Sequence, residues 1–482
     1  MRVGALVLVI IVVINGCTTR TKSAKRSNLE YTFLADEAII NPRISGYWKS
    51  LGGGYILDAT ADSIQLYSYT KNFCYKEKND YLEGLLNAQS QFLSQGDTIS
   101  IFLTDFGDKT SELQPRNDFV RISSLPDCIS FSELQQSSPT LLFNLFIETL
   151  KENYAFSKER NLDWSAISEE FRTRLSDETT QEELFQLMGE VVRLTKDHHT
   201  KIIAQDGRTL QFTGVPSAEI VMDDFNSQSE VEDLNDYFNL FFKTNYENIS
   251  DSLLHGKGQK VANKKIEWGS LDDKIGYIHI HSFAGFAPSS ISRKQQLDTI
   301  NYYMKEIISD FIDKDAIIVD VSFNFGGYDA SGLTIASYFT DKPMLAYTSQ
   351  VYSRGVFQNE SELYVNPSEK VNFTKPVYLL TTDISRSAAE SFAMMMKALP
   401  NVKLVGMNTL GILSGMLGKS IGEFYFTSSN QRLLSPDNEI YEVSGVKPDI
   451  ELEVFTKENV FEGHKDAVRE VMDIIERISK SQ

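Results

Sequence analysis

A serine, a pair of histidines and a pair of glycines are the residues of this 482-residue chain whose settings could support chemistry. Ser387 stands where an apolar run, residues 377–380, passes through Thr381-Thr382-Asp383-Ile384-Ser385-Arg386 into a helical pattern over 391–399. A serine at a strand-to-helix turn is presented at the open end of a sheet, where it can act as a nucleophile. The amide after it, Ala388, lies at a helix N-terminus, where an oxyanion is stabilised. The same stretch also reads as a helix start, with Ser387 as cap and Glu390 completing a capping box, and taken alone that reading is the commoner one. His198 and His199 fall at a helix-to-strand turn. A metal site would need further ligands at workable spacing, which are not nearby, and adjacent side chains diverge, so no metal is expected. A single histidine there can serve as a general base. His279 and His281 alternate along a strand and read as packing residues.

These residues need elements to hold them. Residues 30–130 have β texture: short alternating runs (55–57, 63–67, 98–103, 119–122) broken by Gly52-Gly53-Gly54 and Asp105-Phe106-Gly107-Asp108, read as a small antiparallel β domain. Its aromatics, Tyr47, Trp48, Tyr67 and Tyr69, read as core. The period changes at residue 138, and 138–204 reads as a helical subdomain ending at the histidines and a short strand. Residues 205–268 read as an insertion or cap. Residues 269–482 alternate strands and helices, which predicts an α/β fold with an open, largely parallel sheet and functional loops at the carboxyl ends of its strands. The 316–321 strand is continuously apolar, as for a strand buried on both faces, and runs into Asn324-Phe325-Gly326-Gly327. The runs 424–426 and 450–452 read as further strands, and 465–478 as a closing helix.

The formal net charge of −19 argues against nucleic-acid partners and polybasic membrane attachment. Residues 1–17 combine Arg2, an apolar run over 5–14 and Gly16-Cys17, a pattern similar to a bacterial lipoprotein signal that would leave Cys17 lipidated. An ordinary export signal or a short membrane anchor are the alternatives. Residues 18–29 read as a tether to the membrane, which places the chain in the cell envelope. Export permits a disulfide between Cys74 and Cys128, and the sequence leaves its formation open.

Four separated stretches together resemble the tail-specific, or C-terminal processing, serine peptidases, in their tricorn-like branch. Asp197-His198-His199-Thr200 resembles the family's Asp-Gly-His-Thr. The stretch 320–327 resembles Asp-Leu-Arg-x-Asn-x-Gly-Gly, 385–390 resembles Ser-Ala-Ser-Ala-x-Glu, and 445–450 resembles a closing Gly-Val-x-Pro-Asp. The resemblance covers about 141–478 and leaves the β domain outside. It implies a ClpP/crotonase-like catalytic domain without cofactor and peptide or unfolded-protein substrates. It implies Ser387 as nucleophile and an oxyanion hole from the amides of Ala388 and of Gly326 or Gly327. It implies His199 as base and Glu442, with Glu439 as fallback, to orient the histidine. Ile412 stands where the processing branch has a lysine base, and Lys419 is out of register, so a Ser-His-Glu mechanism is expected. Ser322 and His198 also depart from the family pattern, and no PDZ module is recognisable between His199 and Lys274. The rival expectation is an inactive member of the fold that holds a peptide or apolar ligand.

Overall fold

The computed structural model describes residues 32–33, 35–36, 39–60, 64–78, 90–228 and 231–481. The expected signal sequence, Cys17 and the 18–29 tether lie outside them. No helix among the described residues is long and apolar enough to cross a membrane.

The seven-stranded sheet that carries Ser387 runs Gln259–Val261, Ile266–Ser270, Ile275–Ile280, Ala316–Asp320, Val377–Thr381, Val402–Gly406, Ile450–Glu451 across its width. From Ile275–Ile280 onward every pairing is parallel, and the first two pairings are antiparallel. Side chains of successive strand residues point to opposite faces, and both faces are covered. Ile317, Val319 and Leu379 pack with Ile300, Met304, Leu333 and Phe392 of the helices Arg293–Asp310, Asp329–Ala336 and Ala388–Lys397. Ile318, Tyr378 and Leu380 pack on the other face with Val221, Phe241, Val468 and Val471. The latter come from the helices Pro216–Gln228, Leu234–Glu247 and Gly463–Ser481. Much of the segment expected as an insertion is therefore the second helical layer of this sheet, and its last part supplies two of the strands.

The helices Pro139–Asn153, Trp164–Arg172 and Gln181–Leu194 form a second body. The last starts at a capping box between Thr180 and Glu183, which satisfies two free donors at once. Their apolar stripes cover a separate four-stranded sheet, ordered Thr209–Gln211, Lys201–Ile203, Phe424–Ser429, Met416–Ile421. The 424–426 run thus joins the strand that follows the histidines, not the main sheet. Its aromatics decide this: Phe424 stacks on Phe185 and Phe426 meets Phe146 edge-on, with centroids 6.0 and 5.1 Å apart.

The N-terminal region forms an eight-stranded antiparallel sheet around Trp48, Leu57, Leu66, Phe92, Ile99 and Phe119. Of the four aromatics expected in its core, Trp48 is fully buried and Tyr47, Tyr67 and Tyr69 are half-buried. Cys74 and Cys128 are disulfide-bonded with Cα atoms 4.5 Å apart. This region is joined to the Met416–Ile421 strand by buried charges. Lys419 Nζ donates to the Gly54 carbonyl (2.9 Å) and to Ser68 Oγ (2.6 Å). Glu77 accepts the Ser420 N–H at 2.6 Å and the Ser68 hydroxyl. Burial pulls Lys419 down to about 7, although Glu77 works the other way. Lys419 is a structural residue here.

Candidate active site

Ser387 adopts φ 58° and ψ −126° between the strand Val377–Thr381 and the helix Ala388–Lys397. A non-glycine residue in such a conformation costs about 1–3 kcal/mol and persists only where its surroundings over-determine it. They do. The Ser387 N–H donates to the Ile412 carbonyl (3.1 Å) and to the Glu390 carboxylate (3.2 Å). Before it, Arg386 N–H donates to the Asn324 carbonyl (3.1 Å) and Ser385 Oγ to the Val321 carbonyl (2.7 Å). The hydroxyl of Ser387 makes no cap hydrogen bond; the Glu390 N–H goes to the Ser387 carbonyl oxygen at 2.8 Å.

Gly326 lies directly against this turn. A Cβ there would stand 2.7 Å from Ser387 Cβ and 2.9 Å from the Ala388 nitrogen, and its φ of 97° also demands glycine. Its amide is committed, because Gly326 N–H donates to Asn324 Oδ1 at 2.8 Å. Of the expected oxyanion donors, Gly326 therefore shapes the turn without a free N–H. The amides of Ala388 and Gly327 have no hydrogen-bond acceptor among the described residues.

Glu390 does more than cap. Its carboxylate accepts from Thr409 Oγ1 (2.6 Å), Gly411 N–H (2.6 Å) and Ile412 N–H (2.7 Å), which ties the 409–412 loop to the Ser387 turn. Burial pushes this carboxyl up to about 7, against those hydrogen bonds. The spacing of Ser387 and Glu390, and of Thr409 and Gly411, carried this signal in the sequence, but the link between the pairs exists only in space.

His199 sits in a turn organised by Asp197, which accepts the His199 N–H and the Thr200 hydroxyl, each at 2.8 Å. Thr427 Oγ1 donates to the His199 carbonyl at 2.5 Å, joining the turn to the Phe424–Ser429 strand. Burial lowers the imidazole to about 4, with Asp197 and the Ser414 backbone opposing. His199 Nδ1 is buried without a hydrogen-bond partner among the described residues. No hydrogen bond joins His199 to Ser387 there.

Glu442 is buried, but it does not bond to His199. Its Oε2 accepts the N–H groups of Leu413 (2.7 Å) and Ser414 (2.9 Å), and its Oε1 lies 3.6 Å from Arg160 Nη2. At rest Glu442 therefore holds the Leu413 and Ser414 amides, and the Ser414 backbone in turn acts on the imidazole of His199. Burial, then Asp197, raises the Glu442 carboxyl well above the usual range, with Arg160 opposing. Glu439 points elsewhere, accepting from Tyr441. Arg160 had no signal in the sequence, being one arginine in a polar loop.

His198 Nε2 donates to the Gly214 carbonyl (2.9 Å), and burial first, with Arg386 among the lesser causes, lowers its imidazole. His279 is fully buried against His281, with ring centroids 4.0 Å apart. Nearby Asp320 accepts from Tyr277 and pairs with His464 Nε2, both at 2.6 Å. Burial alone would raise Asp320, but His464, His279 and these hydrogen bonds prevail and hold it well below the usual range. Among the described residues no three His, Cys, Asp or Glu side chains are placed to hold a metal ion.

A three-layer α/β domain with a serine on a strained strand-to-helix turn, backed by a glycine pair, defines the class of a serine hydrolase framework. Residues 274–452 match the model of peptidase family S41, and residues 140–193 that of the tricorn protease C1 domain. The two matched regions are those of the tail-specific, tricorn-like group of these peptidases, which the chain resembles. It is similar to the carboxy-terminal processing protease CtpA of Bacillus subtilis (strain 168), 27% identical over 188 residues that make up 38% of this chain and 36% of that relative. The match therefore spans about a third of the relative's length. Among solved structures, a candidate peptidase of Parabacteroides merdae ATCC 43184 aligns with a TM-score of 0.56 at 22% identity, over 70% of this chain and 97% of that one. Mature CPAF complexed with lactacystin aligns at 0.51 and 12% identity, over 72% of this chain and all of that one (100%). Both share the fold.

Proposed function

We propose that this chain is a serine peptidase of the bacterial cell envelope that hydrolyses peptide bonds through an acyl-enzyme. The observation that carries the reading is the left-handed Ser387, held against Gly326 with the Ala388 amide unspent. Ser387 Oγ attacks the peptide carbonyl, and its proton passes to His199. The carbonyl oxygen takes up charge between the amides of Ala388 and Gly327. His199 then gives the proton to the leaving amine, and water repeats the sequence to release the acid. His199 is neutral at pH 7 and able to accept. Glu442 is a positioning residue that acts through the 413–414 backbone. In this reading the Ser387–His199 hydrogen bond forms around the substrate, as catalytic hydrogen bonds that are long at rest often do.

Lipidation at Cys17 would place the enzyme on the membrane, and the Cys74–Cys128 disulfide supports an oxidising compartment. The test is fluorogenic peptide hydrolysis by Ser387→Ala, which should lose about 10⁶-fold in kcat. Unchanged turnover would end the proposal. The absence of a direct His199–Glu442 bond favours a second reading, a binding protein with the same fold. A serine-reactive phosphonate separates the two, since a binder leaves Ser387 unlabelled.

A further inference from the structure

A cavity of about 180 Å³ opens beside the candidate nucleophile. Its walls include Val215, Ala218, Phe238, Phe242, Phe325 and Ile384, and Arg386 also lines it. Three features tie it to the Ser387 turn. Arg386 immediately precedes Ser387, and Phe325 immediately precedes Gly326. Asp383, in the same turn as Ile384, accepts the Ser217 N–H at 2.6 Å, which fixes the Pro216–Gln228 helix as one wall. Phe325 is unusual among the large apolar residues in being 47% exposed.

The guanidinium of Arg386 stands 4.5 Å above the Phe325 ring, in reach of a cation–π contact. Its side chain has no ion pair or hydrogen bond among the described residues. Glu390 is the acidic group acting on it, and that carboxylate is spent on Thr409, Gly411, Ile412 and Ser387. Burial pulls Arg386 below its ordinary value, the mark of a cation short of counter-charge. In the motif that 385–390 resembles, alanine stands at this position. A planar guanidinium facing an apolar pocket is suited to a carboxylate, which it can hold through two parallel hydrogen bonds.

We propose that this cavity is a specificity subsite that takes one apolar side chain of the substrate, with Arg386 pairing to a carboxylate next to it. The carboxylate comes from a free C-terminus or from an acidic side chain. The inference rests on the peptidase reading for the identity of the ligand as a peptide, but its test needs no cleavage.

Fluorescein-labelled peptides are titrated against the full chain carrying Ser387→Ala, with binding read by anisotropy. One pair is Ala-Ala-Leu as free acid and as C-terminal amide; the other is Ala-Glu-Leu amide and Ala-Gln-Leu amide. The acid member of at least one pair should bind about tenfold tighter, and which pair does so identifies the source of the carboxylate. Replacing leucine by glycine in that peptide should weaken binding about tenfold or more. Adding Arg386→Gln should bring the acid-to-neutral ratio to about one, while Arg386→Lys keeps part of it; thermal unfolding confirms that each variant is folded. Equal binding within both pairs overturns the subsite, as does no loss with glycine or a ratio that survives Arg386→Gln. Binding as expected by a wild-type chain that cleaves nothing would defeat the peptidase reading alone. Cleavage without any acid preference in binding would defeat this inference alone.

Discussion

The two halves of the candidate site are built differently. Around Ser387 mostly backbone does the holding: four hydrogen bonds, to the carbonyls of Asn324, Val321 and Ile412 and to the Glu390 carboxylate, pin residues 385–387, and Gly326 lies so close to Ser387 and Ala388 that a Cβ would not fit. Around His199 side chains do it, and several keep atoms in reserve. His199 Nδ1, Glu442 Oε1 and two nitrogens of Arg160 are buried with no hydrogen-bond partner among the described residues. Geometry that must be exact for an oxyanion is thus fixed in advance. The proton-carrying half rests on groups that can still exchange partners.

Substitutions on the two sides should break this contrast differently. His199→Ala should cost most after the loss of Ser387 itself, about 10⁴-fold in kcat/KM, the upper range for a general base. Stability should hardly fall, because the turn is held by the Asp197 carboxylate and by backbone; chemical denaturation checks this. Gly326→Ala should cost about 10²–10³-fold in kcat by pushing the Ala388 amide out of place. Here the melting temperature should drop as well, since the left-handed φ adds about 1–3 kcal/mol of strain. Loss of activity with full stability would show that the glycine is not a packing contact.

Glu442→Gln should act more through stability, by about 1–3 kcal/mol, because the amide replaces a buried acceptor of two N–H groups. If Glu442 works only through Ser414, kcat should fall less than tenfold; a loss as large as that of His199→Ala would show that the two side chains meet during turnover. The smallest and sharpest measurement is the acid limb of kcat/KM. With burial holding His199 at about 4, the base stays unprotonated until the pH falls through that value, so the limb should lie well below the ordinary 6.5. The sign for stability is the same. The unfolded chain binds the extra proton between about 4 and 6.5, so rising pH through that window stabilises the wild type relative to His199→Gln. A limb at 6 or above would show a carboxylate closing on the ring.

Much of the frame was legible in the sequence because it rests on local patterns. The apolar runs 316–321 and 377–380 announced buried strands, and the Ser387–Glu390 spacing announced a helix start. What was not legible depends on where loops return. Alternation in 424–426 is the same whichever sheet receives it, and only Phe146 and Phe185 choose. Glu442 lay in the right neighbourhood, but which donors it meets is set by the fold of residues 411–415. The commitment of Gly326 N–H to Asn324 could not be read from two adjacent glycines. Arg160 belongs to no periodic pattern at all.

The buried pair of Glu77 and Lys419 makes the N-terminal sheet more than an appendage. It grips a strand that starts just after the loop held by Glu442, so cutting away residues 32–130 would strip Lys419 of Gly54 and Ser68 and the Ser420 N–H of Glu77, and open that strand to water. The N-terminal sheet is in this sense the mould in which the loop is cast.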